Sequence, residues 1–224
     1  GAGGFLWDHS DAPWGGGEGG VVGAGGLGGC PRRGPLSAMG GSKIMSDGGI
    51  TRLVAGGAPK PPQWAGLKFF NVYGPNEYHK GTMQSVAAHI FPIIKDGSAA
   101  KLFMSHHADY ADGGQLRDFV WVGDCVDLVL WLLDHPLTNG IYNCGTGQAR
   151  SFADLAGAVF QAMGMNTRIE YIPMPENIRE KYQYFTEADT ARLRAAGFNK
   201  PFTTLEDGMA AYVRQFLDSA DPYR

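Results

Sequence analysis

The chain has no apolar run near the roughly 18 residues needed to cross a bilayer, and no signal-peptide pattern at Gly1. No membrane segment is therefore expected. Cysteine is scarce: Cys30, Cys125 and Cys144 form an odd, widely spaced set. Such a set builds no disulfide framework and fits reduced thiols in the cytoplasm. An excess of one charge is also missing. The formal net charge is −3, which offers nothing for nucleic acid or an anionic membrane surface. A metal site is not expected either. His106 and His107 are adjacent and tend to point apart, and with Asp109 and Asp112 they offer no well-spaced further ligand.

What is abundant is glycine, and it is distributed unevenly. Of 34 glycines, 20 lie in residues 1–60. That density costs backbone entropy, and few large apolar residues are present there to offset it. An irregular, poorly ordered glycine-rich segment is expected over 1–60, with a boundary near Ala58-Pro59-Lys60-Pro61-Pro62.

From residue 61 the pattern becomes that of an α/β protein. Strands are predicted over 67–72, 101–104, 118–122, 141–144 and 169–172. Helices are predicted over 82–96, with Pro92 kinking or ending it, and over 124–135, 151–163, 187–196 and 205–217. Ser151 with Asp154, Thr186 with Asp189 and Thr204 with Asp207 each read as a capping pair. The alternation argues for a mixed α/β fold.

The most informative run is Leu67 to Gly81, ending Phe70-Asn71-Val72-Tyr73-Gly74-Pro75-Asn76-Glu77-Tyr78-His79-Lys80-Gly81. It reads as a buried strand stopped by Gly74-Pro75, with polar residues just beyond. Open α/β sheets bind ligands past the carboxyl ends of their strands, so this run reads as the lip of a site. By contrast, Gly23-Ala24-Gly25-Gly26-Leu27-Gly28 fits G-x-G-x-x-G only literally. The motif needs a strand before it and a helix after it, and Gly29-Cys30-Pro31 cannot open a helix. A chance match in a glycine-rich stretch is the simpler account.

Individual residues admit two readings each. Lys80 lies in a loop where a functional residue is plausible, or it is a solvated loop lysine. Arg117 is a strand-end ion pair with Asp118, or a rigid fork for diphosphate oxygens. Asp118 itself reads as structural. His89 sits one heptad from Thr82 on a largely apolar helix, so it is an interior histidine or a ligand contact. Phe119, Trp121, Trp131 and Phe160 read as core. Cys144 has no histidine motif to activate it as a nucleophile.

Five blocks carry a resemblance. They are Phe70-Asn71-Val72-Tyr73-Gly74-Pro75 with His79-Lys80-Gly81, Arg117-Asp118-Phe119-Val120-Trp121-Val122-Gly123-Asp124, Asn143-Cys144-Gly145-Thr146-Gly147, Tyr182-Gln183-Tyr184-Phe185-Thr186-Glu187-Ala188-Asp189, and Leu193-Arg194-Ala195-Ala196-Gly197-Phe198. From about residue 61 to the end, the chain resembles the ADP-L-glycero-D-manno-heptose 6-epimerase family of extended short-chain dehydrogenase/reductases. The resemblance implies the C-terminal part of an extended Rossmann-like epimerase: the last strands of the parallel sheet plus a small α/β substrate domain. It implies NADP as cofactor and an ADP-heptose as substrate. The reaction it implies is an isomerisation that inverts C6 by oxidation and re-reduction, serving lipopolysaccharide core precursor synthesis. It implies a homo-oligomer in the intact family.

By the same resemblance, Lys80 matches a catalytic lysine, and Lys43 the lysine of Tyr-x-x-x-Lys, which is catalytic and cofactor-binding. Val72 matches a cofactor contact. Asn71, Thr82, His89, Phe103, Met104, Ser105, His106, Arg117 and Tyr182 match substrate contacts. The departures lie upstream. Met39 stands where the tyrosine belongs, and a thioether neither donates nor accepts that proton. The cofactor half is expected to be missing ahead of residue 1, with 1–60 a damaged or mis-framed remnant and the chain inactive. The alternatives are another extended nucleotide-sugar epimerase or dehydratase, or a non-catalytic ADP-sugar-binding remnant.

Overall fold

Leu67, Phe69 and Val72 lie in a stretch that does form strand, but the strand is divided. β1 (Ala65–Phe69) pairs in parallel with β6 (Gly140–Cys144), and β2 (Asn71–Tyr73) pairs in parallel with β5 (Phe119–Trp121). The change of partner falls at Phe70, whose amide donates to the Cys144 carbonyl at 3.1 Å. One residue later the Asn71 amide donates to the Asp118 carbonyl at 3.0 Å. A sequence with unbroken β character carries no mark of which neighbour it will pair with, so the break was invisible in it.

The computed structural model describes residues 38–179, 182–221 and 223, with side chains from residue 45 onward except at 177. Among these, α2 (Val86–Lys95) precedes β3 (Ala100–Phe103), and β4 (Leu116–Arg117) directly precedes β5. Then follow α3 (Val122–Asp134), β6, β7 (Arg150–Ser151), α4 (Phe152–Ala162), β8 (Ile169–Ile172), α5 (Glu176–Arg179), α6 (Ala191–Ala195) and α7 (Leu205–Tyr212). β3 pairs in parallel with β8, and β4 with β7 antiparallel. A π-helical turn, Val213–Leu217, continues α7. The α/β class and its parallel pairing agree with the sequence reading.

Two apolar clusters hold this together. The larger packs α2, α4 and α7 around β3 and β5, with Ile90, Ile94, Val159, Phe160, Met209 and Tyr212 at most 1 % exposed. The smaller joins α3 to β6 and α6 through Leu128, Leu132, Tyr142, Leu193 and Phe198. Phe119 and Phe160 are core residues, as read. Cys125 and Cys144 lie in the smaller cluster with their sulfurs 3.5 Å apart, both free thiols.

Several elements differ from the sequence expectations. Residues 38–55 form a helix, α1 (Ala38–Ala55), within the segment expected to be irregular. Among its described side chains Met45, Ile50 and Leu53 are exposed, and an ion pair from Lys68 to Asp47 at 2.6 Å ties it to the sheet. The helix expected to start at Thr82 starts at Val86, capped by Ser85. Pro92 does not end it, because Ile90, Phe91 and Ile94 are buried and hold the last turn in place. The helix expected over 187–196 begins only at Ala191. Thr186 does not cap it: its Oγ1 is buried without a hydrogen-bond partner among the described residues, and the Ala188 amide is held by Asp118 instead. Ser151 with Asp154 forms the reciprocal capping box that was read, and Thr204 accepts from the Asp207 amide at 3.1 Å.

Candidate functional site

Strand β5 ends where Trp121 caps α3, and β2 ends beside it at Tyr73. Gly74 then turns the chain with φ +149, and a Cβ there would collide with Val122. Only glycine lets the loop pass so near the start of α3. The polar run thus leaves the sheet at a strand's carboxyl end, as its sequence suggested.

Arg117 is the buried cation of this region, 8 % exposed. Its guanidinium lies over the rings of Phe152 and Tyr182, 5.7 and 5.4 Å from their centres. It donates to the neighbouring Leu116 carbonyl at 2.8 Å, and no carboxylate of the described residues forms an ion pair with it. Burial holds its pKa below the usual arginine range, opposed by Tyr182 and Tyr110. The same burial raises the Tyr182 phenol, while Arg117 pulls it down. A desolvated cation between two aromatic faces is suited to an anionic ligand and costly without one.

Asp118 is not its partner. That carboxylate is 0 % exposed and accepts from Thr146 N, Thr146 Oγ1, Gly147 N and Ala188 N at 2.7–3.0 Å. The structural reading of Asp118 holds: Asn143 and Cys144 end β6, and Gly145-Thr146-Gly147 is a turn wrapped on the carboxylate. Asn71 lies across the ladder from Phe119, and its Oδ1 is buried with no hydrogen-bond partner among the described residues. Val72, half-buried, pairs with Val120.

Phe103, Arg117 and Tyr182 come together: the Phe103 and Tyr182 rings meet edge to face at 6.5 Å. The loop after β3 carries Met104, Ser105 and His106 past them. The Ser105 amide is taken by Asp112 Oδ1 at 2.7 Å, and its hydroxyl bonds the His107 carbonyl. His107 faces Tyr110, Tyr184 and Asp109.

Thr82 and His89 meet on the loop side, and Lys80 lies just ahead of them in the chain. Lys80 is exposed on a 3-10 segment, Tyr78–Met83. The Thr82 backbone is hydrogen-bonded to the His89 ring, but Thr82 lies in the 3-10 segment ahead of α2, so the two meet through the loop and not by a helical step along one face. Burial lowers the His89 pKa, partly opposed by that bond and by Glu77.

Glu77 was missed. It is 3 % exposed, and its carboxylate accepts from Ser85 N and Ser85 Oγ at 2.6 Å and from the Tyr212 hydroxyl at 2.7 Å. It ties the Lys80 loop to the cap of α2 and to α7. Its position inside the polar run was a signal, but Tyr212 lies 135 residues away. Phe152, which covers one face of Arg117, was missed likewise.

The profile of the NAD dependent epimerase/dehydratase family matches residues 42–145. The matched region belongs to that family. Over 159 residues, 71 % of this chain and 49 % of the relative, the sequence is 57 % identical to an ADP-L-glycero-D-manno-heptose-6-epimerase of Nitratidesulfovibrio vulgaris. The chain spans about half the length of the curated relatives it matches. A crystal structure of the Helicobacter pylori ADP-L-glycero-D-manno-heptose-6-epimerase superposes with a TM-score of 0.65 at 24 % identity, over 89 % of this chain and 56 % of that one. The Thermus thermophilus UDP-glucose 4-epimerase, solved with NAD, superposes at 0.63 with 25 % identity, over 89 % and 60 %.

These likenesses give the epimerase/dehydratase fold to the region around Asn71, Arg117 and Tyr182. Two sequence expectations fall elsewhere. The glycine run 23–28 lies outside the described residues. Lys43 and Met39 lie in the part of α1 before residue 45, where the backbone alone is described, so their side chains also lie outside.

Proposed function

We propose that this chain carries the ADP-sugar-binding part of an ADP-glyceromanno-heptose 6-epimerase, with NADP as the cofactor. The observation that carries the reading is Arg117, a buried guanidinium between two rings with no carboxylate of the described residues to neutralise it. A diphosphate supplies that charge, and the planar fork binds two of its oxygens. The unsatisfied Asn71 Oδ1 on the adjacent strand supports a hydroxyl-bearing ligand beside it. The 57 % identity with a heptose epimerase favours an ADP-heptose over other nucleotide sugars.

NADP, when bound, supplies hydride acceptance and return at the heptose C6. The chain's own residues would do the rest. Val72 would line the cofactor, Phe103, Met104, Ser105, His106 and Tyr182 would enclose the substrate, and Thr82 and His89 would border it from the loop side. Lys80 exchanges the proton of the C6 oxygen on one face, held in place through Glu77. By the family resemblance Lys43 would border the cofactor. On the other face the family tyrosine is replaced by Met39, which moves no proton. The reading places the protein in the cytoplasm, in supply of lipopolysaccharide core precursors.

Binding without turnover is the expected behaviour. Purified chain incubated with NADP and ADP-D-glycero-D-manno-heptose is expected to leave C6 uninverted, as followed by proton NMR. Inversion would overturn the role given to Met39.

A further inference from the structure

Within the block 182–186, Tyr184 has been given no role. Its carbonyl accepts from the Leu116 amide at 2.8 Å, which fixes it beside the residue preceding Arg117. Its hydroxyl accepts from the His106 amide at 2.9 Å. Its ring lies against Tyr182 at 5.5 Å, Tyr110 at 5.1 Å and His107 at 5.2 Å. One side chain therefore touches both the loop after β3 and the ring that covers Arg117.

The other ties of this loop act differently. Asp112 holds Ser105 from within the loop itself, and Gln115 reaches the Phe103 and Met104 carbonyls at 3.3 and 3.4 Å, at the loop's root. The Tyr184 hydroxyl joins the loop's outer part to the strand that carries Arg117. We propose that Tyr184 is a positioning residue that latches the 103–107 loop against the Arg117–Tyr182 pair, so that a nucleoside diphosphate meets a preformed site. This rests on the ADP-sugar reading above. A loop already in its bound arrangement avoids the ordering cost that would otherwise weaken binding. Tyr184 touches no ligand in this account; it acts through the loop.

The test is calorimetric titration of ADP into wild-type chain, Tyr184→Phe and Tyr184→Ala, with hydrogen exchange of the 104–107 amides and thermal melting followed in parallel. Phenylalanine keeps the ring contacts and removes only the latch. The Tyr184→Phe variant should melt with the wild type, exchange faster at 104–107 and bind ADP roughly 3- to 10-fold more weakly, the loss expected for one hydrogen bond. The Tyr184→Ala variant should lose more affinity and also melt earlier. A residue that only packs would lower the melting point of the alanine variant and leave ADP affinity untouched in the phenylalanine variant. Wild-type affinity in Tyr184→Phe overturns the latch, with or without faster exchange. No ADP binding by the wild type overturns the ADP-sugar reading itself, and with it the ligand role of Tyr184.

Discussion

At the scale of single residues, burial and charge separate Arg117 from Asp118, two neighbours that sequence alone reads as an ion pair. Asp118 is saturated by four donors, while Arg117 has rings on two sides and no carboxylate of the described residues. Replacing a buried, unpaired charge with an apolar group of similar length relieves its desolvation cost. The Arg117→Met variant should therefore keep or raise the melting temperature while losing about 10- to 100-fold in ADP affinity, the range for a charged hydrogen-bonding group. A fall in stability without a change in affinity would mark Arg117 as structural. The alternative readings of Arg117 were legible in the sequence, but the choice between them was not. It depends on Phe152 and Tyr182, which lie 35 and 65 residues further on. Glu77 is a similar case: its partners Ser85 and Tyr212 are brought to it by the fold.

At the scale of elements, local chemistry was legible wherever the partners were local. The Ser151–Asp154 capping box and the Thr204 cap are encoded within four residues, and both form. Strand β8 runs over Ile169–Ile172, as its composition indicated. The failures came where a distant group took the backbone. Asp118 captures Ala188, so α6 starts late, and the neighbours of β1 and β2 differ. The Asp118 carboxylate thus organises the 144–147 turn and the approach to α6 together. The Asp118→Asn variant keeps the size but presents an amide to backbone donors, leaving some unsatisfied. Urea unfolding should place it about 2–4 kcal/mol below the wild type. A difference within about 0.5 kcal/mol would show that the turn forms without that charge. Helix α1 is the other lesson at this scale. It holds four glycines and little buried surface, so its composition argued against regular structure, yet the backbone is helical over 38–55.

At the scale of the whole molecule, two apolar clusters meet at β5, where Phe119 belongs to the larger and Val120 to the smaller, and the candidate site lies at the carboxyl end of that strand and of its neighbour β2. The apolar character of α3 was clear in sequence, but its orientation was not. Cys125, Leu128 and Leu132 face the core, while Val126, Val129, Leu130 and Leu133 are exposed. A helix apolar on both faces has no periodic signal to say which face is inside. The fold class and the sheet end that bears the polar run were legible because open α/β sheets bind at that end. The central claim is that this end retains a site for an ADP-linked sugar. The most direct measurement is competitive calorimetric titration of ADP and UDP into the purified chain at one ionic strength. The account predicts saturable ADP binding at one site per chain, with UDP at least about tenfold weaker, a difference of roughly 1.4 kcal/mol. Equal affinities, or no binding of either nucleotide, would contradict it.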